Sequence, residues 1–507
     1  MAHHLLRRSG GPRHRPRALR PADRRGRAGL RRRPLPAPPA GGADGDARRR
    51  TLREHAVSRP AVDRRRPPPP GVRRPFRFPP FAHRRLANGL DLWVAPFPHL
   101  PLVDLEIVVD AGGQHAPRHR PGLPSLHGAL LSEGTESLTA PQIAQRMERL
   151  GGTLSSGVDW NVAGASASAL AVHLEAAFEL LVEVVRRPSF PAQEVERLRR
   201  QRLAELLRQR DQPRALAERH FARTVYGDAP YGFPLLGSEA ALQAIERPEI
   251  VDFYRRHVHP GGAALVATGD VDPERLMALA EAALADWPAA EPAGEPAIEP
   301  LVLEHNKVVL VDRPEAAQTQ LKMGHASVPR RHPGYPVRVL LNAILGGSFI
   351  SRLNLNLRER HGITYGVRSS FVRRRGPGPF QIDSALATEA AGKAVREILA
   401  EVERIRQEPV SAAELDGARG FMIDVFPYTV QTLNDVSQRL EDLSVYRLGD
   451  DYYEHFPAQL ADVSAAQIRD AAQRLLHPQR MAIVAVGPAA QLAPQLEPFG
   501  PLEIVSP

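Results

Sequence analysis

The sequence predicts an α+β fold in two tandem, homologous domains. Three observations carry this: strand and helix patterns alternate with hairpin signals among them, motifs recur about 218 residues apart, and a proline-punctuated stretch separates the copies. The folded part begins near Phe76, where the composition becomes globular. His83–Leu86 and Leu90–Val94 flank Ala87-Asn88-Gly89, a hairpin whose turn residues tolerate positive φ. Val103, Leu105, Ile107 and Val109 alternate with mostly polar neighbours, as a half-buried strand does. Thr139-Ala-Pro-Gln142 has capping-box chemistry and opens a helix with Ile143, Met147 and Leu150 on one face; Gly151 ends it. Further helical patterns run over about 171–186 and from Gln193 to Arg210.

Prolines at 288, 292, 296 and 300, among Ala, Glu and Gly, mark an extended linker. The halves on either side match. His259-Pro260 leads to Ala264-Leu-Val-Ala-Thr-Gly269, and His477-Pro478 leads to Ala482-Ile-Val-Ala-Val-Gly487. Pro191-Ala-Gln-Glu194 and Ser411-Ala-Ala-Glu414 match at an offset of 220. So long a period is a domain duplication, not a solenoid. The expected organisation is a disordered segment over 1–75, an N-terminal domain over 76–287, a linker over 288–300 and a C-terminal domain over 301–507.

The chain has 507 residues and no cysteine, which removes disulfides, thiolate metal sites and cysteine nucleophiles together. No apolar run approaches the ~18 residues a spanning helix needs. The formal charge of +10 is unevenly spread. Residues 1–75 hold 22 Arg, no Lys and five acids, a net +17, whereas the other 432 carry 45 basic and 52 acidic groups, a net −7. Rich in Arg, Pro, Ala and Gly, residues 1–75 cannot bury enough apolar surface to offset chain entropy. Clustered Arg can attract phosphate, yet no aromatic interleaving accompanies it, so no specific nucleic-acid partner is expected. A solvated tail, a misplaced start and a poorly formed targeting segment stay open. No apolar core of an export signal follows the arginines, so a cytoplasmic location is the default, with the periplasm open if the N-terminus is misassigned.

The order of motifs resembles the pitrilysin/insulinase family of zinc metallopeptidases, the inverzincins, over roughly residues 76–490. Three segments carry the likeness: Tyr226-Gly-Asp-Ala-Pro-Tyr-Gly-Phe-Pro-Leu-Leu-Gly237; Leu345-Gly-Gly347 with Ser351-Arg-Leu353 and Leu357-Arg-Glu359; and Gly122-Leu123 with Gly134-Thr135. The resemblance implies a mostly antiparallel sheet with helices packed on one face in each domain, the chain forming a half-clamshell. It also implies a helix bearing His-x-x-Glu-His, two imidazoles on zinc and a Glu that polarises water. No such motif occurs in this chain. The aligned ligand positions are Ser125 and Ala129, and the general-base position is Gly128. Glu205, 76 residues beyond Ala129, matches the distant carboxylate ligand, but one carboxylate cannot make the usual three-ligand zinc site. His127 points to the other side of the helix. His115 and His119 are four apart, but Pro117 between them and Pro121 just after argue for a loop, and His257 and His259 precede Pro260 at a helix end and lack a nearby acid. Where catalytic members pair substrate with an edge strand, this chain has Ser155-Ser156.

Catalytic members also place an Arg and a Tyr, seven residues apart, on the substrate backbone near zinc. Arg358 and Tyr365 stand at that spacing. A guanidinium fork and a phenol can stabilise one carbonyl or the oxyanion it becomes. The alternative is a helix-surface ion pair for Arg358 and a half-buried strand position for Tyr365. The resemblance thus implies a subunit without catalytic residues of its own and without a cofactor. It would clamp peptide through Arg358 and Tyr365 in a heterodimer whose partner carries the zinc. A non-enzymatic scaffold or peptide-binding homologue is the competing expectation.

Overall fold

In a computed structural model of the chain, the described residues are 71, 74–290 and 294–507, and residues 74–507 form one compact unit. The segment expected to be disordered, 1–75, lies almost wholly outside the described residues. The first half runs β1 (Ala82–Arg85), β2 (Asp91–Pro96), β3 (Leu102–Val109), α1 (Leu123–Leu130), α2 (Ala140–Arg149), β4 (Thr153–Val158), β5 (Ala163–Leu170), α3 (Leu174–Arg186), α4 (Ala192–Arg210), α5 (Pro213–Tyr226), α6 (Glu239–Ala244), α7 (Arg247–His257), β6 (Ala263–Gly269) and α8 (Pro273–Leu284). The second continues with β7 (Lys307–Asp312), β8 (Thr319–Ala326), α9 (Tyr335–Asn342), α10 (Arg352–Asn354), β9 (Thr364–Phe371), β10 (Pro379–Leu386), α11 (Ala391–Gln407), α12 (Ala412–Val425), α13 (Leu433–Val445), α14 (Tyr452–Ala461), α15 (Ala465–Leu475), β11 (Ala482–Gly487), α16 (Ala489–Leu496) and β12 (Leu502–Val505). Wide π-type turns, Ala343–Gly347 and Leu355–Arg360, extend α9 and α10.

Local chemistry sets these elements. Gly89, at φ +93°, closes the first hairpin, and Ala82 to Arg85 pair with Val94 to Asp91. A capping box between Thr139 and Gln142 starts α2; Ser411 and Glu414 start α12 in the same way. The strands form two six-stranded sheets, in the orders β1-β2-β6-β3-β5-β4 and β12-β7-β11-β8-β10-β9. The pairs β2–β6, β7–β11 and β7–β12 are parallel and the others antiparallel. The repeat read from Ala264–Gly269 and Ala482–Gly487 is therefore the same strand in each sheet, a central one buried on both faces.

One face of each sheet carries helices of its own half. Leu105, Ile107, Leu265 and Ala267 pack with Leu126, Phe178, Leu181 and Leu276. Leu321, Met323, Ile483 and Ala485 pack with Leu340, Val395 and Ile398. The opposite faces are joined across the halves. Helix α5 lays Leu216, Phe221 and Val225 on Val309, Val311, Val484 and Val486 of the second sheet. Helix α13 places Val436 and Leu440 in one cluster with Val108, Ala264 and Val266 of the first, where Thr268 Oγ1 lies 2.9 Å from Ser437 Oγ. Burying each such aliphatic or aromatic side chain contributes about 1.5–3 kcal/mol. This reciprocal exchange makes one unit of the two sheets. The described part of the linker has no helix or strand, and Ile298 is buried beside Tyr231 and Val309.

A buried cation ties α5 to the second sheet. Lys322 on β8 is 3% exposed in its side chain, with Nζ 2.8 Å from Glu218 on α5 and 2.8 Å from Asp383 on β10. Its ammonium also lies 5.2 Å from the Phe221 ring centroid. Removing one partner of a buried pair leaves uncompensated charge. Lys322→Ala is expected to lose about 3 kcal/mol of stability, the low end of that range because Glu218 is half exposed. Urea melts of the two proteins check this, and coincident midpoints would refute it.

Candidate functional site

The helix aligned with the expected metal-ligand positions is present as α1, and it carries Ser125, Gly128 and Ala129 there. Gly122, at φ +96°, turns the chain into α1, and Pro124 fits the first turn, where no N–H bond is lost. Ser125 is buried, and Gly128 lies against the edge strand β4. A Cβ at 128 would sit 2.6 Å from the Gly157 carbonyl oxygen and 3.0 Å from Val158 Cβ. Ser156 seals the same seam: its Oγ accepts from Ser132 N–H at 3.2 Å and lies 2.9 Å from Ser132 Oγ. A Glu side chain at 128 has no room unless β4 moves. Ser155 turns to the other face and meets Ser166 Oγ at 3.1 Å.

The remaining ligand positions do not assemble a site either. Glu205 on α4 pairs with Arg208 and accepts from Gln209 Nε2 at 3.4 Å. One turn before it, Arg202 donates to the Ser125 carbonyl at 3.3 Å, so a guanidinium reaches this helix. Burial lowers the Arg202 pKa, opposed by the charge of Glu205. His127 is fully buried among Phe190, Phe253 and Tyr254, with ring centroids 5.1 to 6.0 Å away. Burial pushes its pKa down to about 3, with His257 adding to the effect, so it is a neutral core residue. Among the described residues no group of three or more His, Asp or Glu side chains is placed to hold a metal ion. The donor set does not fit zinc.

Folding also joins histidines that sequence spacing kept apart. His115 and His257 meet as tilted rings with centroids 4.7 Å apart, and His115 Nε2 lies 2.8 Å from Asp110 Oδ1, which Arg375 of the second half approaches at 2.6 Å. His257 was expected to lack an acid; Asp110, distant in sequence, lies near it, but burial and then His115 hold its pKa down to about 4, with Asp110 only opposing them. This is a junction between halves, closed by Asn161 Oδ1 accepting from Arg375 N–H at 2.9 Å.

In the second half the Ser351-Arg-Leu motif is a frame. Leu353 is fully buried, and Arg352 makes a fork of 2.8 and 3.1 Å hydrogen bonds to Glu414. Chiefly because of Arg352, the Glu414 carboxyl is held down to about 2. Asn354 donates to the Val367 carbonyl at 3.0 Å and accepts from its N–H at 3.1 Å, fixing the edge of β9. This frame presents the two predicted residues. Arg358 lies in the wide turn after α10; Gly362, at φ +62°, then reverses the chain into β9 and Tyr365. Tyr365 is 93% exposed rather than half-buried. The Arg358 guanidinium pairs with Glu359 at 2.6 Å and stacks 3.6 Å from the Phe349 centroid. No hydrogen bond or ring contact joins Arg358 to Tyr365 among the described residues. Phe349, which Arg358 covers, is exposed, as are Ile350 and Leu355 nearby in sequence.

Sequence reasoning missed a set of acids on the other sheet. Glu106 on β3, Glu441 on α13 and Asp159 after β4 influence one another across the junction of the halves. Burial, then Asp159 and Asp104, raises Glu106 to about 7; burial and Glu106 push Glu441 well above the usual carboxylate range. The polar positions in the alternating β3 pattern were the available signal.

Two six-stranded sheets of one topology, related by duplication and each carrying helices, define a tandem α+β protein. Comparison with known proteins agrees. A family model described as Insulinase (Peptidase family M16) matches residues 98–239, and one described as Peptidase M16 inactive domain matches residues 244–421. The chain belongs to peptidase family M16. It is 26% identical over 364 residues to an uncharacterized zinc protease of Mycobacterium bovis, covering 71% of this chain and 82% of that one. An uncharacterized zinc protease of Rickettsia felis is 23% identical over 325 residues, 64% and 78% of the two chains. The crystal structure of a peptidase M16 inactive domain from Pseudomonas fluorescens superposes with a TM-score of 0.75 at 27% identity, over 80% of this chain and 98% of that one. A protease from Helicobacter pylori shares the fold, with a TM-score of 0.74 at 17% identity. No helix among the described residues is long and apolar enough to cross a membrane.

Proposed function

We propose that this chain is the non-catalytic, substrate-clamping subunit of a heterodimeric zinc endopeptidase acting on peptides or unfolded segments. A partner of the same family supplies the histidines, the general-base Glu and the zinc. The observation that carries this reading is a contrast between the halves. In the first, Gly128 is packed against the Gly157 carbonyl, and among the described residues no group of three or more His, Asp or Glu side chains is placed to hold a metal ion. In the second, an elaborate frame of Arg352, Asn354 and Glu414 holds a phenol that is 93% exposed. An exposed phenol on so well-anchored a strand makes no contribution to this chain's core and is free for contact with another molecule. Arg358 and Tyr365 then steady the scissile carbonyl beside the partner's metal, and the chain's own residues bind and orient without touching zinc. The pairing of Arg358 with Glu359 and Phe349 favours the second reading, a scaffold or peptide-binding homologue, because that guanidinium is already engaged.

Co-purification of the tagged chain from its own cells, with the bound protein identified by mass spectrometry, separates the two. The expected companion is a family member with an intact His-x-x-Glu-His, and the reconstituted pair hydrolyses an unfolded peptide. A pair that assembles without hydrolysing peptide would leave only the scaffold.

A further inference from the structure

We propose that Phe349 is a positioning residue for Arg358, holding the guanidinium in an orientation that leaves a free donor edge for a bound peptide. The inference rests on the reading above that Arg358 and Tyr365 contact peptide, and it gives a role to a residue that reading leaves without one. Phe349 is 72% exposed and belongs to none of the three apolar clusters of the chain. Its ring centroid nevertheless lies 3.6 Å from the guanidinium carbon of Arg358, whose side chain is only 18% exposed. The phenyl ring covers a cation rather than closing a core. Glu359 takes a neighbouring edge of the same group: its Oε1 accepts from Nε at 2.8 Å and lies 2.6 Å from Nη2. Among the described residues no hydrogen bond uses Nη1, so its two N–H groups are left for an acceptor from outside. A carbonyl oxygen, or the oxyanion it becomes, is such an acceptor.

The platform under the guanidinium is itself fixed. Asn354 Nδ2 donates at 3.1 Å to the Ser348 carbonyl and lies 3.1 Å from Ser351 Oγ, so the residues on both sides of Phe349-Ile350 are tied to one buried amide. Ser351 N–H donates to the Ser348 carbonyl at 3.2 Å and closes the turn. Just before it, Gly346 packs on β9, where a Cβ would meet Ser369 Oγ at 2.6 Å. The same Asn354 holds Val367 on the strand of Tyr365. One side chain thus sets both the loop that carries the ring under Arg358 and the strand that carries the phenol. An arginine on a surface turn has many rotamers, and ordering it on a ligand costs binding free energy. A ring that holds the planar group beforehand removes most of that cost before the peptide arrives.

The test is steady-state hydrolysis of an unfolded peptide by the complex of the full chain with its zinc-bearing partner, with size-exclusion chromatography confirming that each variant assembles. Phe349→Leu keeps an apolar side chain and removes the π face. It is expected to lower kcat about fivefold with KM unchanged, the scale of one exposed cation–π contact acting on the transition state. Phe349→Tyr, which keeps the ring, should retain full activity. In an Arg358→Ala background Phe349→Leu should cost nothing further, because a residue that acts only through another adds no loss once that one is gone. Full activity of Phe349→Leu beside a loss in Arg358→Ala would overturn the positioning role while leaving the clamp intact. An equal loss from Phe349→Leu with and without Arg358 would make Phe349 a peptide contact in its own right and likewise reject positioning. Unchanged kinetics for Arg358→Ala, or a complex that cleaves no peptide, would overturn the clamp reading, and the positioning role with it.

Discussion

In the assembled complex, Arg358→Ala and Tyr365→Phe are each expected to lower kcat/KM about 10²-fold, with the two chains still joined. The magnitude is that of removing one preorganised donor from a developing oxyanion. The physical basis is the difference in what each side chain does at rest. The Tyr365 phenol is 93% exposed and supports nothing within its own chain, so deleting its oxygen removes only an interaction made with another molecule. Arg358 is anchored by Glu359 and the Phe349 ring, which preorganises a guanidinium at little entropic cost. Steady-state kinetics, with size-exclusion chromatography as the control for assembly, decide the matter. A fall in kcat with unchanged KM assigns both residues to the transition state. Unchanged kinetics for both variants would reduce Arg358 to a surface ion pair and Tyr365 to an ornament of the strand.

Restoring the lost motif is expected to damage the fold rather than recover a metal centre. Gly128→Glu drives a side chain into the Gly157 carbonyl at 2.6 Å and encloses a carboxylate without a partner. Overpacking costs roughly 1–3 kcal/mol and an enclosed unpaired charge adds to it, so a loss of about 4 kcal/mol is expected. The triple variant Ser125→His, Gly128→Glu, Ala129→His should melt earlier than the natural chain and gain no stoichiometric zinc, because β4 occupies the space and Arg202 directs positive charge at the same helix. Thermal melts and metal analysis after dialysis check both halves of this expectation. A triple variant that holds one zinc per chain without loss of stability would show that the metal was lost by side-chain substitution alone, with the cleft intact.

Much of the fold was legible because local rules and the duplication agreed. The Asn88-Gly89 hairpin, the Thr139–Gln142 cap and the alternation of β3 are short-range signals, and each is found where the sequence places it. The matching strands at 264–269 and 482–487 revealed two sheets of one topology. The exchange of α5 and α13 between halves was hidden, since amphipathic spacing says which face is buried and not against which sheet. The Arg358 and Tyr365 positions were readable from motif order, but the exposure of Tyr365 was not. It depends on how Asn354 fixes β9 and on the reversal at Gly362. The Glu106–Glu441 cluster was illegible for the same reason as the His115–His257 contact: its members are brought together only by the third dimension.

Metal content and turnover, measured side by side on the isolated chain and on its complex, test the division of labour between the two subunits most directly. The expectation is a chain purified alone that carries no stoichiometric zinc and leaves an unfolded peptide intact, and a complex with one zinc per heterodimer that cleaves it. A lone chain that retains one tightly held zinc and hydrolyses the peptide would contradict it.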